Sequence, residues 1–251
     1  MTMKPTSDPS AIFPEAFRAV MRNPRALALY IVLAMGAAGA KLAAMHLCTG
    51  GETLGNPGLT VRLLTLLTDL ALVAIYAFAQ TVAFSWLGQD VDRPLWRVKG
   101  LKDALARFYS LWLILDLLII ALNSIAARQL NADATNALGH IMMLLFLSLQ
   151  VISIPIGAAI MFHGELKWRE LGQSLAPLGR QFFATTLVVV FSGCTLVLLL
   201  FFLLPSSGSR LWLRPLVEIP GGLAECIIFT ATWRICIMDR DADTDDGYYE
   251  F

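Results

Sequence analysis

The sequence predicts an all-α, polytopic transmembrane bundle of six spans, with interfacial amphipathic helices on the cytoplasmic side. The chain is 57% hydrophobic and only 15% charged, whereas a soluble domain is roughly 45–50% apolar and about 25% charged. Its apolar residues also form long runs, and about 20 such residues cross the hydrocarbon core as a helix. We therefore expect one integral membrane domain over residues 1–251, with a polar N-terminal tail (1–11) and an acidic C-terminal tail (239–251).

Six apolar runs reach the length of a membrane span. In chain order they are Ala26–Cys48, Leu63–Leu87, Phe108–Ala127, Ala137–Phe162, Phe182–Leu204 and Leu211–Met238. The first is too long for the apolar core of a signal peptide and has no small-residue cleavage site, so we expect it to remain as an anchor. The third is the shortest and contains Asp116. Without it the chain would have five spans, and its termini would lie on opposite sides.

The distribution of basic residues supports six spans and orients them. If the N-terminus is cytoplasmic, the opposite side and the outer span ends hold few of the 19 Lys and Arg residues. These few are Lys41, Arg62, Arg128, Arg210 and Arg214. Because cytoplasmic loops of membrane proteins carry an excess of Lys and Arg, both termini are predicted in the cytoplasm, with the protein in the cell inner membrane.

Three cytoplasmic segments share a pattern of a polar, a small and a large apolar residue, followed by Arg and an outward-going span. They are residues 15–17 with Arg22, residues 103–105 with Arg107, and residues 173–175 with Arg180. The first places Phe13, Phe17, Val20 and Met21 on one helical face, as interfacial helices do. The chain is interpreted as three units of interfacial helix plus transmembrane hairpin. The alternative is that inner loops of membrane proteins are generally basic and amphipathic.

This pattern resembles a broad, largely uncharacterised bacterial family of six-span inner-membrane proteins. The resemblance depends on residues 15–24 before the first span and on the Pro-bearing last span that ends in Thr232-Trp233-Arg234. Relatives of that family form the membrane domain of some glycerophosphoryl diester phosphodiesterases. The resemblance implies a membrane role without a defined activity. The soluble phosphodiesterase barrel is not in this sequence, so hydrolysis is not carried over.

Four of the predicted spans each place one polar side chain in the inner half of the membrane: Gln80, Asp116, Gln150 and Glu225. Ionisable groups within the bilayer are costly, so they tend to face a protein interior or a wet cavity. We expect these four to form one hydrogen-bonded layer. It would act either as a relay for protons or substrate, or as a set of contacts that hold the helices together.

A second group of charges is predicted nearer the outer face. Lys41 lies deep in an otherwise apolar helix and needs an acidic partner, for which Asp69 and Glu218 are the candidates. A charge pair that fixes helix packing is the simpler interpretation, and a site for an anionic headgroup or an ion is the alternative.

The last span also contains a predicted helix break at Pro220, Gly221 and Gly222. Proline removes a backbone donor, and the two glycines loosen the same turn. Discontinuous helices mark substrate sites in transporters. Pro155 holds a comparable position in the fourth span, although most single kinks are structural.

These features favour a non-catalytic inner-membrane protein, an accessory, scaffold or assembly subunit of a membrane complex. Its expected partners are the lipid bilayer and a protein, bound through the small-residue face of Gly36, Gly39 and Ala40 or through the acidic tail. The alternative is a small transporter or lipid-handling protein with an intramembrane acidic site at Glu225 and Asp116. The sequence contains no catalytic or metal-binding motif, so no enzyme activity and no cofactor are expected. The net charge of zero argues against nucleic-acid binding.

Overall fold

Eight α-helices follow one another along the chain in the computed structural model, which describes residues 11–49, 59–91, 98, 100–164, 168–203 and 215–246. All regular secondary structure in these ranges is helical. The helices are α1 (Ile12–Arg22), α2 (Pro24–Thr49), α3 (Leu59–Val91), α4 (Leu101–Ala132), α5 (Ala137–Phe162), α6 (Leu171–Arg180), α7 (Phe182–Leu203) and α8 (Glu218–Asp246). The all-α prediction is confirmed.

Six of these helices are long and apolar enough to cross a membrane: α2, α3, α4, α5, α7 and the segment Pro215–Ala242 that contains most of α8. The third predicted run extends at both ends into α4, which is continuous through Asp116, so the short run was the middle of a longer helix. The first residues of the sixth predicted run, 211–214, lie outside the described residues.

Helix α8 lies at the centre of the bundle. It contacts α1, α2, α3, α5, α6 and α7. In its spanning window 72% of the residues are buried, against 17–28% in the other five spans. Those outer helices instead expose large apolar side chains such as Leu67, Leu144 and Val197, each more than 60% exposed. One buried helix is thus surrounded by helices whose outer faces suit lipid.

Aromatic side chains fill one half of the bundle. The rings of Phe84 and Phe229 stack with their centroids 4.4 Å apart. Trp112 meets Phe84 edge-on at 5.1 Å, and Trp233 lies 5.4 Å from Phe229. All four side chains are buried, and we call them the aromatic cluster. Because they come from α3, α4 and α8, the aromatic cluster ties these three helices together.

The short helices α1 and α6 pack on the same end of α8. Glu15 of α1 forms an ion pair with Arg234 at 3.0 Å, and Arg180 at the end of α6 pairs with Asp239 at 3.3 Å. Helix α1 buries Ile12, Ala16, Ala19 and Val20 and leaves Phe17 and Met21 exposed. Of the apolar face that was predicted to contact lipid, Val20 therefore packs against protein, whereas Phe17 and Met21 are exposed.

The structure differs from the prediction of three similar units. Residues 103–105 do not form a separate interfacial helix, because they belong to the first turns of α4. Separate short helices precede only the first and fifth spans among the described residues. Residues 92–97 and 99 lie outside the described residues. Of the three predicted interfacial segments, only those in α1 and α6 form short separate helices.

The predicted acidic tail also differs, because α8 continues through Asp246. Asp239, at the start of that tail, is 5% exposed and paired with Arg180. An acidic run is solvated only where no cation and no helix packing hold it. Residues 247–251, with the remainder of the tail, and residues 1–10 lie outside the described residues.

Replacing Gly157 with Ala is expected to destabilise the bundle by about 1–3 kcal/mol, the usual cost of overpacking. A Cβ at position 157 of α5 would lie 2.2 Å from the Trp112 ring, which is itself buried within the aromatic cluster. The measurement is thermal unfolding in detergent, followed by size-exclusion chromatography of the heated sample. Gly193 of α7 is the matched control, since its Cβ would meet nothing within 4 Å. Equal melting temperatures for Gly157→Ala and Gly193→Ala would contradict this packing.

Candidate functional site

A cavity of about 350 Å³ lies between α3, α4, α5, α7 and α8. Its polar lining includes all four residues of the predicted layer, Gln80, Asp116, Gln150 and Glu225. Asp116 and Gln150 lie near the midpoints of α4 and α5. The layer is therefore the wall of an open space, and not a set of directly packed side chains.

The first turns of α8 bring this helix close to its neighbours. Pro220 lies in the first turn, where the missing backbone N–H would have no partner within the helix. The α-helix then runs on through Gly221 and Gly222, so the structure has no break there. The change in helix type comes earlier, where the 3₁₀ turn 215–217 joins α8. A Cβ at Gly222 would lie 3.1 Å from Tyr30 and Ile31, so this glycine permits the close approach of α2.

That close approach lets α2 hold the carboxylate of Glu225. The hydroxyl of Tyr30, which is 1% exposed, donates a hydrogen bond to Glu225 Oε2. Tyr30 also packs against Phe84 at 5.5 Å, which fixes its ring. A buried and packed donor of this kind holds the carboxylate in one orientation.

Helix α3 places a neutral polar side chain beside each of the other two carboxylates. Tyr76 lies next to Glu218, and Gln80 lies next to Asp116. Tyr76 and Gln80 are four residues apart on α3, so they lie on the same face, one turn from each other. Each of the three carboxylates thus has one neutral polar neighbour, from Tyr30, Tyr76 or Gln80, and Tyr30 donates a hydrogen bond to Glu225.

Helices α5 and α7 complete the wall with uncharged polar groups. Gln150 and Ser153 come from α5, and Ser192 and Thr195 from α7. Three of these hydroxyls donate to backbone carbonyl oxygens. Ser192 of α7 donates to Val151 O of α5 at 2.9 Å, whereas Thr195 and Ser153 donate within their own helices, to Phe191 O at 2.9 Å and Gln150 O at 3.3 Å. Their remaining lone pairs are available as acceptors.

The aromatic cluster lies about one helical turn from the polar wall of the cavity. Phe84 follows Gln80 by four residues, Phe229 follows Glu225 by four, and Trp112 precedes Asp116 by four. Because α3 and α8 run opposite to α4 in the bundle, all three rings lie one turn from the polar wall on the same side. This side faces the end of α8 that α1 and α6 cover.

The predicted outer charge cluster separates into two parts. Lys41 pairs with Asp69 at 2.5 Å between α2 and α3. Glu218 instead faces the cavity with Tyr76, so it joins Glu225 rather than acting apart from it. The sequence placed one lysine and two acidic residues at similar depth in the membrane. Depth alone does not show toward which neighbouring helix each side chain is directed.

The cavity is strongly one-sided in charge. Three carboxylates line it, whereas none of its described lining residues is Lys, Arg or His. Taking a carboxylate out of water is costly unless a cation or a proton compensates it. No three His, Cys, Asp or Glu side chains among the described residues are placed to hold a metal ion. The arrangement can therefore accept hydrogen bonds and bind positive charge.

Sequence reasoning missed Tyr30 and Tyr76. Their signal was present, because a tyrosine hydroxyl inside a spanning run needs a hydrogen-bond partner. Tyr76 also lies one turn from Gln80, which the sequence did single out. The aromatic cluster was missed as well, although three of its rings lie four residues from a predicted polar group, Gln80, Asp116 or Glu225.

The small-residue face of α2 remains open. A Cβ at Gly36 or Gly39 would meet nothing within 4 Å, and Ala40 is exposed. No other described helix therefore fills this face, and small residues of this kind permit close approach of a further helix.

The fold and the apolar outer surface define a polytopic integral membrane protein whose helices contact the lipid bilayer. Comparison with protein-family models, curated proteins and solved structures found no match to this chain. Its membership of the six-span inner-membrane family stays a prediction.

Replacing Tyr30 with Phe is expected to lower the free energy of unfolding by about 1 kcal/mol, because Glu225 loses a hydrogen-bond donor. Thermal unfolding in detergent measures this loss. Tyr109→Phe is the matched control, since that hydroxyl makes only a long contact of 3.5 Å to Ala74 O. In the Glu225→Gln background the Tyr30→Phe effect should shrink, as expected for two groups that interact directly. Identical effects in both backgrounds would contradict the pairing.

Proposed function

We propose that this chain is a small membrane transporter that binds its solute in the cavity between α3, α4, α5, α7 and α8. The observation that carries the proposal is the acidic wall formed by Asp116, Glu218 and Glu225 around an open volume. This was the alternative in the sequence analysis, and the geometry favours it over an accessory role.

The open volume argues against a purely structural role for the polar layer. Polar groups that hold helices together satisfy one another across a packed interface. Here Gln80, Asp116, Gln150 and Glu225 line a space of about 350 Å³, within the range of small-molecule sites. Three acidic groups without a cationic side chain in the lining need compensation by a proton or by a cation, and a positively charged solute would supply it.

The position of the aromatic cluster fits one state of a carrier. In alternating access, a site within the membrane opens to one side at a time. The aromatic cluster separates the cavity from the end covered by α1 and α6. Opening that side requires α8 to part from its neighbours, and the pairs Glu15–Arg234 and Arg180–Asp239 hold that end together.

A subunit role is the second candidate function, and the open face of Gly36, Gly39 and Ala40 favours it. A helix of a partner protein would fit against these residues. The transporter and the subunit are compatible if the partner regulates transport. Neither function requires a catalytic group, and we propose that the chain is not an enzyme.

We further propose that the protein lies in a bacterial inner membrane with both termini cytoplasmic. The uneven distribution of Lys and Arg supports this orientation, and the resemblance to a six-span bacterial family supports the membrane. In this orientation α1, α6 and the aromatic cluster lie toward the cytoplasm, and the acidic cavity lies between them and the outer face.

Cysteine labelling tests the orientation. In a variant whose native cysteines are replaced by Ala, we expect Ala134→Cys in the α4–α5 loop to react with a membrane-impermeant maleimide in spheroplasts. Gln173→Cys in α6 should react only after the membrane is broken. Both positions are exposed, so a lack of reaction reflects sidedness. The opposite pattern would reverse the orientation.

Solute uptake tests the transporter. Proteoliposomes are given labelled methylammonium, acetate or glycerol, and we expect uptake of at least one solute above that of protein-free liposomes. Glu225→Gln should reduce this uptake at least tenfold, because it removes one acidic group from the wall with little change in volume. Asp133→Asn, at an exposed loop position, is the control and should transport as the wild type does.

The same assay decides between the two candidates. Equal uptake by Glu225→Gln and the wild type would contradict a role of the acidic wall in transport. If the wild type moves none of the three solutes and co-purifies with a stoichiometric protein in mild detergent, the subunit role replaces the transporter.

A further inference from the structure

We propose that the cavity binds a small aliphatic ammonium ion, the protonated form of an amine. As a statement about the transported solute this rests on the proposed function, whereas binding itself can be measured without transport.

The charge of the ligand follows from the wall. Asp116, Glu218 and Glu225 have only neutral polar neighbours in the cavity lining. The nearest candidate cation predicted from the sequence, Lys41, is paired with Asp69 outside that lining. The cationic side chain of α8 closest in sequence, Arg234, is paired with Glu15. Positive charge for this cavity therefore has to come from the ligand or from protons.

Unpartnered acceptors indicate that the ligand donates hydrogen bonds. Gln80 is 5% exposed and lines the cavity, and its Oε1 has no hydrogen-bond partner. Asp116 Oδ2 lacks a partner as well. The Gln80 amide lies beside Asp116, and its oxygen can only accept hydrogen bonds. A buried acceptor without a donor costs about 1–3 kcal/mol, and an ammonium group supplies up to three N–H donors.

The spread of the acidic groups favours an organic cation over a metal ion. Glu218 and Glu225 are two turns apart, about 10 Å along the helix. A calcium or magnesium site needs six or more oxygen atoms around one point, and the described acidic residues form no such group. Between the polar groups the wall is apolar, with Leu72, Ile119, Phe146 and Leu196 among the lining residues. Such a wall suits the hydrocarbon part of an amine.

Protons are expected to compete with the amine for the same carboxylates. The ionisable groups that face the cavity are Tyr76 from α3, Asp116 from α4, and Glu218 and Glu225 from α8, with Tyr30 from α2 bound to Glu225. Helices α5 and α7 contribute only uncharged polar groups, Gln150, Ser153, Ser192 and Thr195. An ammonium ion needs an ionised carboxylate, so amine binding should weaken as the pH falls and should release protons.

Calorimetric titration of the full chain in lipid nanodiscs tests the proposal with probes of similar size and different charge. We expect butylammonium to bind at least tenfold more tightly than butanol or butyrate. Tetramethylammonium, which carries the charge but no N–H donor, should bind more weakly than butylammonium. Titration in buffers of different ionisation enthalpy should show proton release.

Two cavity variants and one control locate the site. Asp116→Asn should weaken butylammonium binding at least tenfold, and Gln80→Met, which keeps the volume and removes the acceptor, should weaken it to a smaller extent. Asp133→Asn should bind as the wild type does. Each variant is first compared with the wild type by thermal unfolding and size-exclusion chromatography, so that a folding defect is recognised. Gln80→Met serves if Asp116→Asn does not fold.

The outcomes separate this proposal from the transporter. Equal binding of butanol and butylammonium, no butylammonium binding, or unchanged binding by both cavity variants overturns the amine site. Butylammonium binding without uptake of any solute keeps the amine site and overturns the transporter. Uptake of acetate or glycerol without amine binding keeps the transporter and overturns the amine as its substrate.

Discussion

The burial of α8 is the constraint on which the remaining structure depends. This helix carries Glu218, Glu225, Arg234 and Asp239, and it has the lowest mean hydropathy of the six described spans. Charged groups facing hydrocarbon are costly, so a helix of this composition is stable in a membrane only where protein surrounds it. The other spans supply that surrounding and keep their own apolar faces outward. The same arrangement that shields the carboxylates also brings them to one place, so the cavity is a direct consequence of how α8 is buried.

A single geometric relation then organises the interior around α8. On α3, α4 and α8 a polar group and an aromatic ring are four residues apart: Gln80 with Phe84, Asp116 with Trp112, and Glu225 with Phe229. Because four residues make about one turn, each helix presents both groups on one face, and the bundle stacks a polar layer on an aromatic layer. The aromatic layer is closely packed at Gly157, where a Cβ would lie 2.2 Å from the Trp112 ring. The polar layer instead lines a cavity.

The sequence predicted the architecture well because length and hydropathy decide it. All six spans, the all-α class and the joint position of Gln80, Asp116, Gln150 and Glu225 followed from counting residues along apolar runs. The errors concern the rotation of helices about their axes, the start of α8 and contacts between residues that are distant in sequence. Asp69 and Glu218 were both candidate partners of Lys41 because all three had similar depth, and the structure pairs Lys41 with Asp69 while Glu218 lines the cavity. Pro220 was interpreted as a break because the sequence does not reveal that α8 begins two residues earlier. The acidic run after Met238 was interpreted as a tail separate from the last span, because the sequence does not reveal that Asp239 pairs with Arg180, which is distant in sequence.

Ion pairs at one end of α8 connect the short helices to the cavity. Glu15–Arg234 and Arg180–Asp239 join α1 and α6 to the helix that also carries Glu218 and Glu225. Asp239 is buried, so removing Arg180 would leave an uncompensated charge, whereas the more exposed Glu15–Arg234 pair contributes less. A shift at one end of a continuous helix is transmitted to its other end. Binding of positive charge in the acidic cavity would change the electrostatic energy of Glu218 and Glu225, and therefore of α8. Helices α1 and α6 thus hold the end of α8 that has to move if the aromatic cluster is to open. This role explains why each of the two short helices forms an ion pair with α8.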